Sequence, residues 1–216
     1  MPRPSPDTPR RPAPRLYLVA PGVEHPNELG LELDRILGTA DIAAVLLKLP
    51  HGGERTLIDY ARAVAPAVQD KGVALLLDGH ADLVARTGAD GAHMTGLDAF
   101  SAALDSLKPE RIAGAGGVRT RHDAMAAGER GADYVMFGDP DSDRPPLSAI
   151  LDRIEWWAEV FEVPCVGYAE SLDEVAALAA AGADFVALGT FVLSDPAGAP
   201  ALIRAAADTL VAEPTR

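Results

Sequence analysis

The sequence predicts a single (β/α)8 barrel of the α/β class, a TIM barrel. Eight short apolar runs punctuate the chain: Leu16–Ala20, Ile42–Leu49, Val73–Leu77, Gly91–Met94, Arg111–Ala115, Tyr134–Phe137, Pro164–Tyr168 and Phe185–Leu188. Segments of helical composition separate them, giving a strand-helix alternation throughout. The phrase Gly-Ala-Asp also recurs, at Gly88–Asp90, Gly131–Asp133 and Gly182–Asp184, each time between a helical stretch and an apolar run. Its glycine suits a left-handed helix end and its aspartate turns the chain into the next strand. Such joints fall on the amino-terminal face of a barrel, so these three aspartates are read as structural. Chemistry is expected just after each strand, at the carboxyl ends.

The first two runs are apolar on both alternating faces, as strands are when helices cover the outside and side chains fill the lumen. The second leads into Lys48-Leu49-Pro50-His51-Gly52-Gly53. There a lysine and a glycine pair either face a phosphate or form a snorkelling cation on a flexible turn. Residues 55–69 place Leu57, Ile58, Val64 and Val68 on one helical stripe, with Pro66 expected to kink or shorten it. The third run leads to Asp78-Gly79-His80, with Asp82 beyond, and the fourth to Thr95 and Asp98. Carboxylates brought to one rim by neighbouring strands suit Mg²⁺; their structural alternatives are a turn cap for Asp78 and a helix start for Asp98. His93 precedes the rim and reads as a hydrogen-bonded histidine inside the barrel.

The fifth run enters a glycine-rich stretch, Gly114–Val118, followed by Arg119 and Arg121. Such a strand-to-helix loop presents N–H groups to an anion, although it matches no complete phosphate-loop motif. Asp123 and Ser148 mark further helix starts. The sixth run opens the longest polar loop, residues 138–146, either a lid or an exposed turn, with Arg144 as an anion contact. Leu147–Phe161 reads as helix, with one of Trp156 and Trp157 packed on the barrel and the other exposed, as a subunit contact or through packing alone. The seventh run holds the single cysteine, Cys165, read as buried and inert. Ser171 with Glu174 makes a capping-box pattern. The eighth run ends at Gly189-Thr190, natural donors where barrels often seat a phosphate between the loops after strands seven and eight.

At 216 residues and 48% hydrophobic, the chain can fill one barrel core, assigned to residues 15–212. Residues 1–14, rich in proline and carrying Arg3, Arg10 and Arg11, are expected to form a disordered tail. That tail lacks the apolar centre of a secretory signal, no stretch is long enough to span a membrane, and a lone cysteine forms no intrachain disulfide. These features predict a cytoplasmic protein without a membrane partner. The formal net charge of −13 argues against nucleic acid while leaving room for a phosphorylated small molecule at a local anion site. A homo-oligomer is compatible with the chain.

Over residues 15–210 the sequence resembles the family of thiamine phosphate synthase and its sister, thiazole tautomerase. The resemblance rests on Arg15-Leu-Tyr-Leu-Val19, Gly88–His93, Gly131–Gly138 and Ala181–Asp184. It implies the Mg²⁺-dependent coupling of hydroxymethylpyrimidine diphosphate with a thiazole phosphate, through a pyrimidine cation, with release of pyrophosphate. The family's Gln-x-Arg-Glu-Lys falls on Leu46–Pro50, leaving Lys48 as its one cation, and its Asn-Asp pair falls on Asp78-Gly79. Its second metal aspartate aligns with Asp98, preceded by Thr95-Gly96-Leu97 in place of Gly-Gln-Glu. Its serine after strand five lands on Gly116, its histidine on Val118, its strand-six lysine nearest Arg144, and its Gly-Gly phosphate loop on Ala169-Glu170. The resemblance thus implies Asp78 and Asp98 for Mg²⁺, and Lys48, Gly116, Arg144, Gly189 and Thr190 for substrate and phosphate, with no catalytic residue identified.

Loss of one electrostatic contact to a developing charge costs about 100- to 1000-fold in rate, so the family activity is expected to be weak or altered. The alternative is a non-catalytic barrel that binds a pyrimidine or thiazole precursor of thiamine, another phosphorylated small molecule, or a partner protein. Another phosphate-handling barrel enzyme, such as an isomerase, has only the generic fold behind it.

Overall fold

The computed structural model describes residues 12–139 and 144–211. Most of the predicted tail, residues 140–143 of the 138–146 loop and the last residue of the predicted domain therefore lie outside the described residues. Eight parallel strands close on themselves in sequence order: β1 (Arg15–Ala20), β2 (Ile42–Leu47), β3 (Ala74–Asp78), β4 (Gly91–Thr95), β5 (Ile112–Gly116), β6 (Tyr134–Phe137), β7 (Cys165–Ala169) and β8 (Phe185–Leu188). Closure is made by β1 against β8, with Leu16 opposite Val186 and Leu18 opposite Leu188. The helices are α1 (Pro26–Leu37), α2 (Glu54–Gln69), α3 (Val84–Thr87), α4 (Leu97–Leu107), α5 (Arg121–Glu129), α6 (Leu147–Val160), α7 (Leu172–Ala180) and α8 (Ala199–Val211). The fold is the TIM barrel that the eight runs predict.

Alternation along the strands divides the core in two. Leu16, Leu18 and Ala20 of β1, Val45 and Leu47 of β2, and Leu75 and Leu77 of β3 point outward to the helices. Tyr17, Val19, Ala44, Leu46, Leu76, Met136 and Val166 point inward and fill the lumen. Both faces are therefore apolar. Residues one step further along β3 and β4 on the inward face, Asp78 and His93, reach the carboxyl-end mouth.

Four local expectations are refined. Strand β2 stops at Leu47, so Lys48 and Leu49 belong to the loop. Helix α2 runs unbroken to Gln69 with Pro66 inside it. Pro66 lies in the last turn, where one backbone hydrogen bond is lost while buried Leu57, Ile58, Val64 and Val68 hold the helix down. Ser171 is the N-cap of α7 but makes no side-chain cap; Glu174 instead accepts from the Glu170 N–H at 2.9 Å. A capping box does form on α5, between Thr120 and Asp123. Trp157 is fully buried as one member of the pair, whereas Trp156 is half-buried under the Arg121 guanidinium, 4.7 Å from its ring centre. Cys165 is buried, and no helix among the described residues is long and apolar enough to cross a membrane.

The three repeated aspartates do one job at three joints. Asp90, Asp133 and Asp184 each accept a backbone N–H from the start of the preceding strand: Leu75 at 2.8 Å, Ala113 at 2.7 Å and Cys165 at 2.8 Å. Their own N–H groups donate to the carbonyls of the same three residues. The glycine two residues before each aspartate has positive φ: +79° at Gly88, +100° at Gly131 and +97° at Gly182. The repeat thus ties one strand start to the next on the face opposite the mouth.

Replacing Asp184 with alanine strands the Cys165 N–H, which should lower unfolding stability by about 1–3 kcal/mol in urea melts. Asp184→Asn keeps a side-chain carbonyl and should lose less.

Candidate functional site

A cavity of about 300 Å³ opens at the carboxyl ends of the strands. Val19, Leu46, Met136 and Tyr168 form its apolar floor and wall; Lys48, Arg119, Arg144 and Arg153 bring four cations to it against the two carboxylates of Asp78 and Asp139. In a chain with a formal net charge of −13 this is a local reversal of sign. A concave, low-dielectric wall focuses that reversal on whatever enters.

The loop after β2 carries Lys48 to the mouth, where its Nζ meets Asp78 Oδ2 at 3.0 Å, both side chains being partly exposed. Such a pair is worth well under about 1 kcal/mol, so an anionic ligand can compete for the lysine. Arg119 follows the glycine-rich turn after β5, and Arg153 reaches in from α6. No carboxylate pairs with Arg153 among the described residues.

Beneath the cations lies a buried polar column. The hydroxyls of Tyr17 and Tyr134 are 2.9 Å apart, Tyr134 Oη lies 3.0 Å from His93 Nδ1, and His93 Nε2 lies 3.4 Å from Asp139 Oδ2. Asp139 also accepts the Gly117 N–H at 2.9 Å. A carboxylate only accepts, so a neutral His93 donates from Nε2 to Asp139, and in that tautomer its Nδ1 accepts from Tyr134, which then accepts from Tyr17. Burial pushes the hydroxyls of both tyrosines well above the ordinary tyrosine range, keeping them protonated. The column exists because β5 has no inward side chains beyond Ile112: a Cβ on Gly114 would overlap the Tyr134 ring, and one on Gly116 would overlap Asp139 and His93.

The side after β7 and β8 is arranged differently. Arg144 donates to the carbonyls of Gly138 (3.0 Å) and Tyr168 (3.2 Å), and pairs with Glu174 at 2.8 Å and Glu170 at 3.3 Å. The Gly189 N–H donates to Ala169 O at 3.0 Å. Burial raises the Tyr168 hydroxyl above the usual tyrosine range, offset in part by the Thr190 N–H beside it. A Cβ on Gly189 would press against that same hydroxyl.

Of the residues expected at the mouth, Lys48, Asp78 and Arg144 line the cavity together. Gly116 lies under its wall as the gap that admits His93 and Asp139. Asp98 is exposed in the first turn of α4, and Gly189 and Thr190 follow β8; none of these three lines the cavity. Sequence reasoning placed His93 in the barrel but missed its partners Tyr17, Tyr134 and Asp139, together with Tyr168 and Arg153. The signal was partly there: Tyr17, Tyr134 and Tyr168 fall on the inward parity of their strands, beside Val19, Met136 and Val166.

A family model described as Thiamine monophosphate synthase matches residues 16–192. The thiamine-phosphate synthase of Rhodospirillum centenum is 36% identical over 194 residues, covering 88% of this chain and 94% of that protein. That of Hyphomonas neptunium is 34% identical over 207 residues, covering 90% and 93%. Among solved structures, thiamine phosphate pyrophosphorylase from Pyrococcus furiosus superposes with a TM-score of 0.74 at 17% identity, covering 93% of this chain and 96% of that one, a likeness of fold.

The protonated tyrosines set an alkaline limit. Their folded pKa lies above the unfolded value of about 10, so the stability linked to the neutral hydroxyls is intact below pH 10 and is lost as pH rises beyond it. Urea midpoints should hold to about pH 9 and then fall. In Tyr17→Phe/Tyr134→Phe that alkaline decline should flatten, on a fold weakened at neutral pH by the unpaired His93 Nδ1.

Proposed function

The chain belongs to the thiamine monophosphate synthase family, and on that premise we propose that its mouth cavity binds a phosphorylated pyrimidine or thiazole precursor of thiamine, with the family coupling reaction slowed or altered. One observation carries the proposal: the cluster of Lys48, Arg119 and Arg153 around an apolar cavity in an otherwise acidic chain. A phosphorylated heterocycle needs that combination, an apolar surface for the ring and cations for the phosphate. Lys48 is the member of the expected substrate set best placed for this role, since its carboxylate partner is exchangeable.

The slowing rests on the donors that the family reaction requires. Its motif positions hold Lys48 alone of two cations, Gly79 for a metal aspartate and Glu170 for a phosphate-loop glycine. The residues present do not fit Mg²⁺ as a preformed site. Asp78 is engaged by Lys48, Asp98 stands off the cavity, and no group of three metal-type side chains exists among the described residues. What this chain's own residues supply is binding and orientation: cations for the phosphate, Tyr168 and Met136 against the ring, and a donor column that holds Asp139 in place. A non-catalytic binder of the same precursors is the second reading, favoured by the Lys48–Asp78 pair, which sets a lysine against the carboxylate expected to hold a metal.

Calorimetric titration should show saturable binding of hydroxymethylpyrimidine diphosphate or thiazole phosphate, weakened about tenfold or more in Lys48→Met. Pyrophosphate release with both substrates and Mg²⁺ should be at least about 100-fold slower than for the Rhodospirillum centenum relative assayed alongside. Binding of neither precursor overturns the proposal; turnover equal to the relative's overturns the slowing.

A further inference from the structure

We propose that Asp139 selects the ring in this cavity: its Oδ1 accepts an N–H from the edge of a flat heterocycle, so that a ring with an amino donor is bound in preference to the same ring without one. The proposal deepens the reading above and rests on it for there being a ring in the cavity.

The two oxygens of Asp139 have different surroundings. Oδ2 takes both donors that reach the carboxylate from the barrel, the Gly117 N–H at 2.9 Å and His93 Nε2 at 3.4 Å. Anchoring the turn after β5 needs that oxygen alone. Oδ1 accepts no hydrogen bond from the described residues, and its lone pairs are the ones left to a ligand. No buried side-chain oxygen among those residues lacks a partner, so Oδ1 is not sealed inside the barrel. The Asp139 side chain keeps 12% of its surface exposed and lines the cavity. With Oδ2 held against His93 and Gly117, Oδ1 is the oxygen that the cavity meets.

The column fixes that direction. Two donors on one oxygen resist rotation of the carboxylate. His93 is itself bonded through Nδ1 to Tyr134 and stacked on that ring, with centroids 5.7 Å apart. Tyr134 is tied in turn to Tyr17. An acceptor oriented in advance loses little freedom when a ligand arrives. Asp78, the other carboxylate of the lining, meets the Lys48 ammonium at 3.0 Å, so a neutral N–H there competes with a cation. Asp139 meets an imidazole and a backbone N–H instead.

The wall around Asp139 suits a flat ring. Met136 lies three residues before it and lines the same cavity with Val19 and Tyr168. The Asp139 charge is near enough to Tyr168 to help raise its hydroxyl. A ring seated on that wall without an N–H strips water from Oδ1 and returns no hydrogen bond. Such an unpaired acceptor discriminates more strongly than a change of shape.

Asparagine at this position separates ring selection from a purely structural role. Its amide carbonyl satisfies Gly117 and His93 as Oδ2 does, which turns the amide NH2 to the Oδ1 position. The anchor is kept while the acceptor becomes a donor. The probes are phosphate-free 4-aminopyrimidine and 4-methoxypyrimidine, titrated at millimolar concentration into the full chain by ligand-observed NMR, above neutral pH where both rings are uncharged. Wild type should bind the amino ring about tenfold or more tighter than the methoxy ring, which has no N–H. Asp139→Asn should abolish or invert that preference. The wild-type preference is measured on the unaltered chain, so it decides the matter even where the variant fails to fold. Binding of neither ring, equal binding of the two by wild type, or an amino preference retained in Asp139→Asn overturns the proposal. The two proposals fail separately. An amino preference that Asp139→Asn removes, in a chain that binds neither thiamine precursor, supports the acceptor and removes the ligand assignment. Precursor binding that is weakened by Lys48→Met, in a chain with no amino preference, does the reverse.

Discussion

Strand β5 has to present nothing to the lumen at Gly114 and Gly116, because the space is already taken. Tyr134 leans over the first and the His93–Asp139 pair over the second, and no side chain could share either position. A barrel lumen of this size is normally filled by layers of branched apolar residues. Here part of the filling is polar, and polar filling is tolerable only when every group has a partner. The column from Tyr17 to Asp139 meets that condition: no buried side-chain nitrogen or oxygen among the described residues lacks a hydrogen-bond partner. The same glycines that admit the column lead into the turn at Gly117, whose N–H fixes Asp139 and after which Arg119 enters the mouth. Packing inside the barrel and charge at its rim are thus set by one missing row of side chains.

The rim divides by sign. Glutamates and Arg144 close the quarter after β7 and β8 into an internally satisfied network, while the cations from the loops after β2 and β5 and from α6 face the cavity. Neither half follows from net charge, which is strongly negative. Long-range repulsion from an acidic chain is screened beyond about 8–10 Å at ordinary salt. The field inside the cavity is therefore set by its own lining rather than by the net charge of the chain.

Much of the fold was legible because strand and helix periods differ and because the chain repeats itself. The Gly-Ala-Asp phrase is readable without coordinates: a left-handed glycine and a carboxylate at a strand start leave little choice of role, and Asp90, Asp133 and Asp184 all bond the preceding strand as that reading requires. The site was legible only where one residue acts alone. Lys48 and Asp78 follow their strands and meet at the mouth. Glu174 shows the limit: its spacing from Ser171 spells a cap, but a guanidinium from a distant loop and the Glu170 N–H both compete for its carboxylate, and a charged partner outbids a local cap. Asp139 was equally hidden, since nothing local in Phe137-Gly138-Asp139 records that His93, 46 residues earlier, points at it across the lumen.

Kinship and chemistry separate along the axis of the barrel. The joints that identify the family, the repeated aspartates and their glycines, sit on the face opposite the mouth and hold strand starts together whatever the ligand. The mouth carries loop residues whose exchange costs the barrel little, such as a half-exposed Lys48 and a Glu170 turned onto Arg144. The joints that tie strand starts together lie at one end and the cavity at the other, so a change at the rim need not be compensated at those joints. The chain keeps 36% identity with the Rhodospirillum centenum synthase across 88% of its length, and a barrel divided in this way can hold its fold while its rim changes. An overall identity does not distinguish one end of the barrel from the other, so the cavity has to be read from its own side chains.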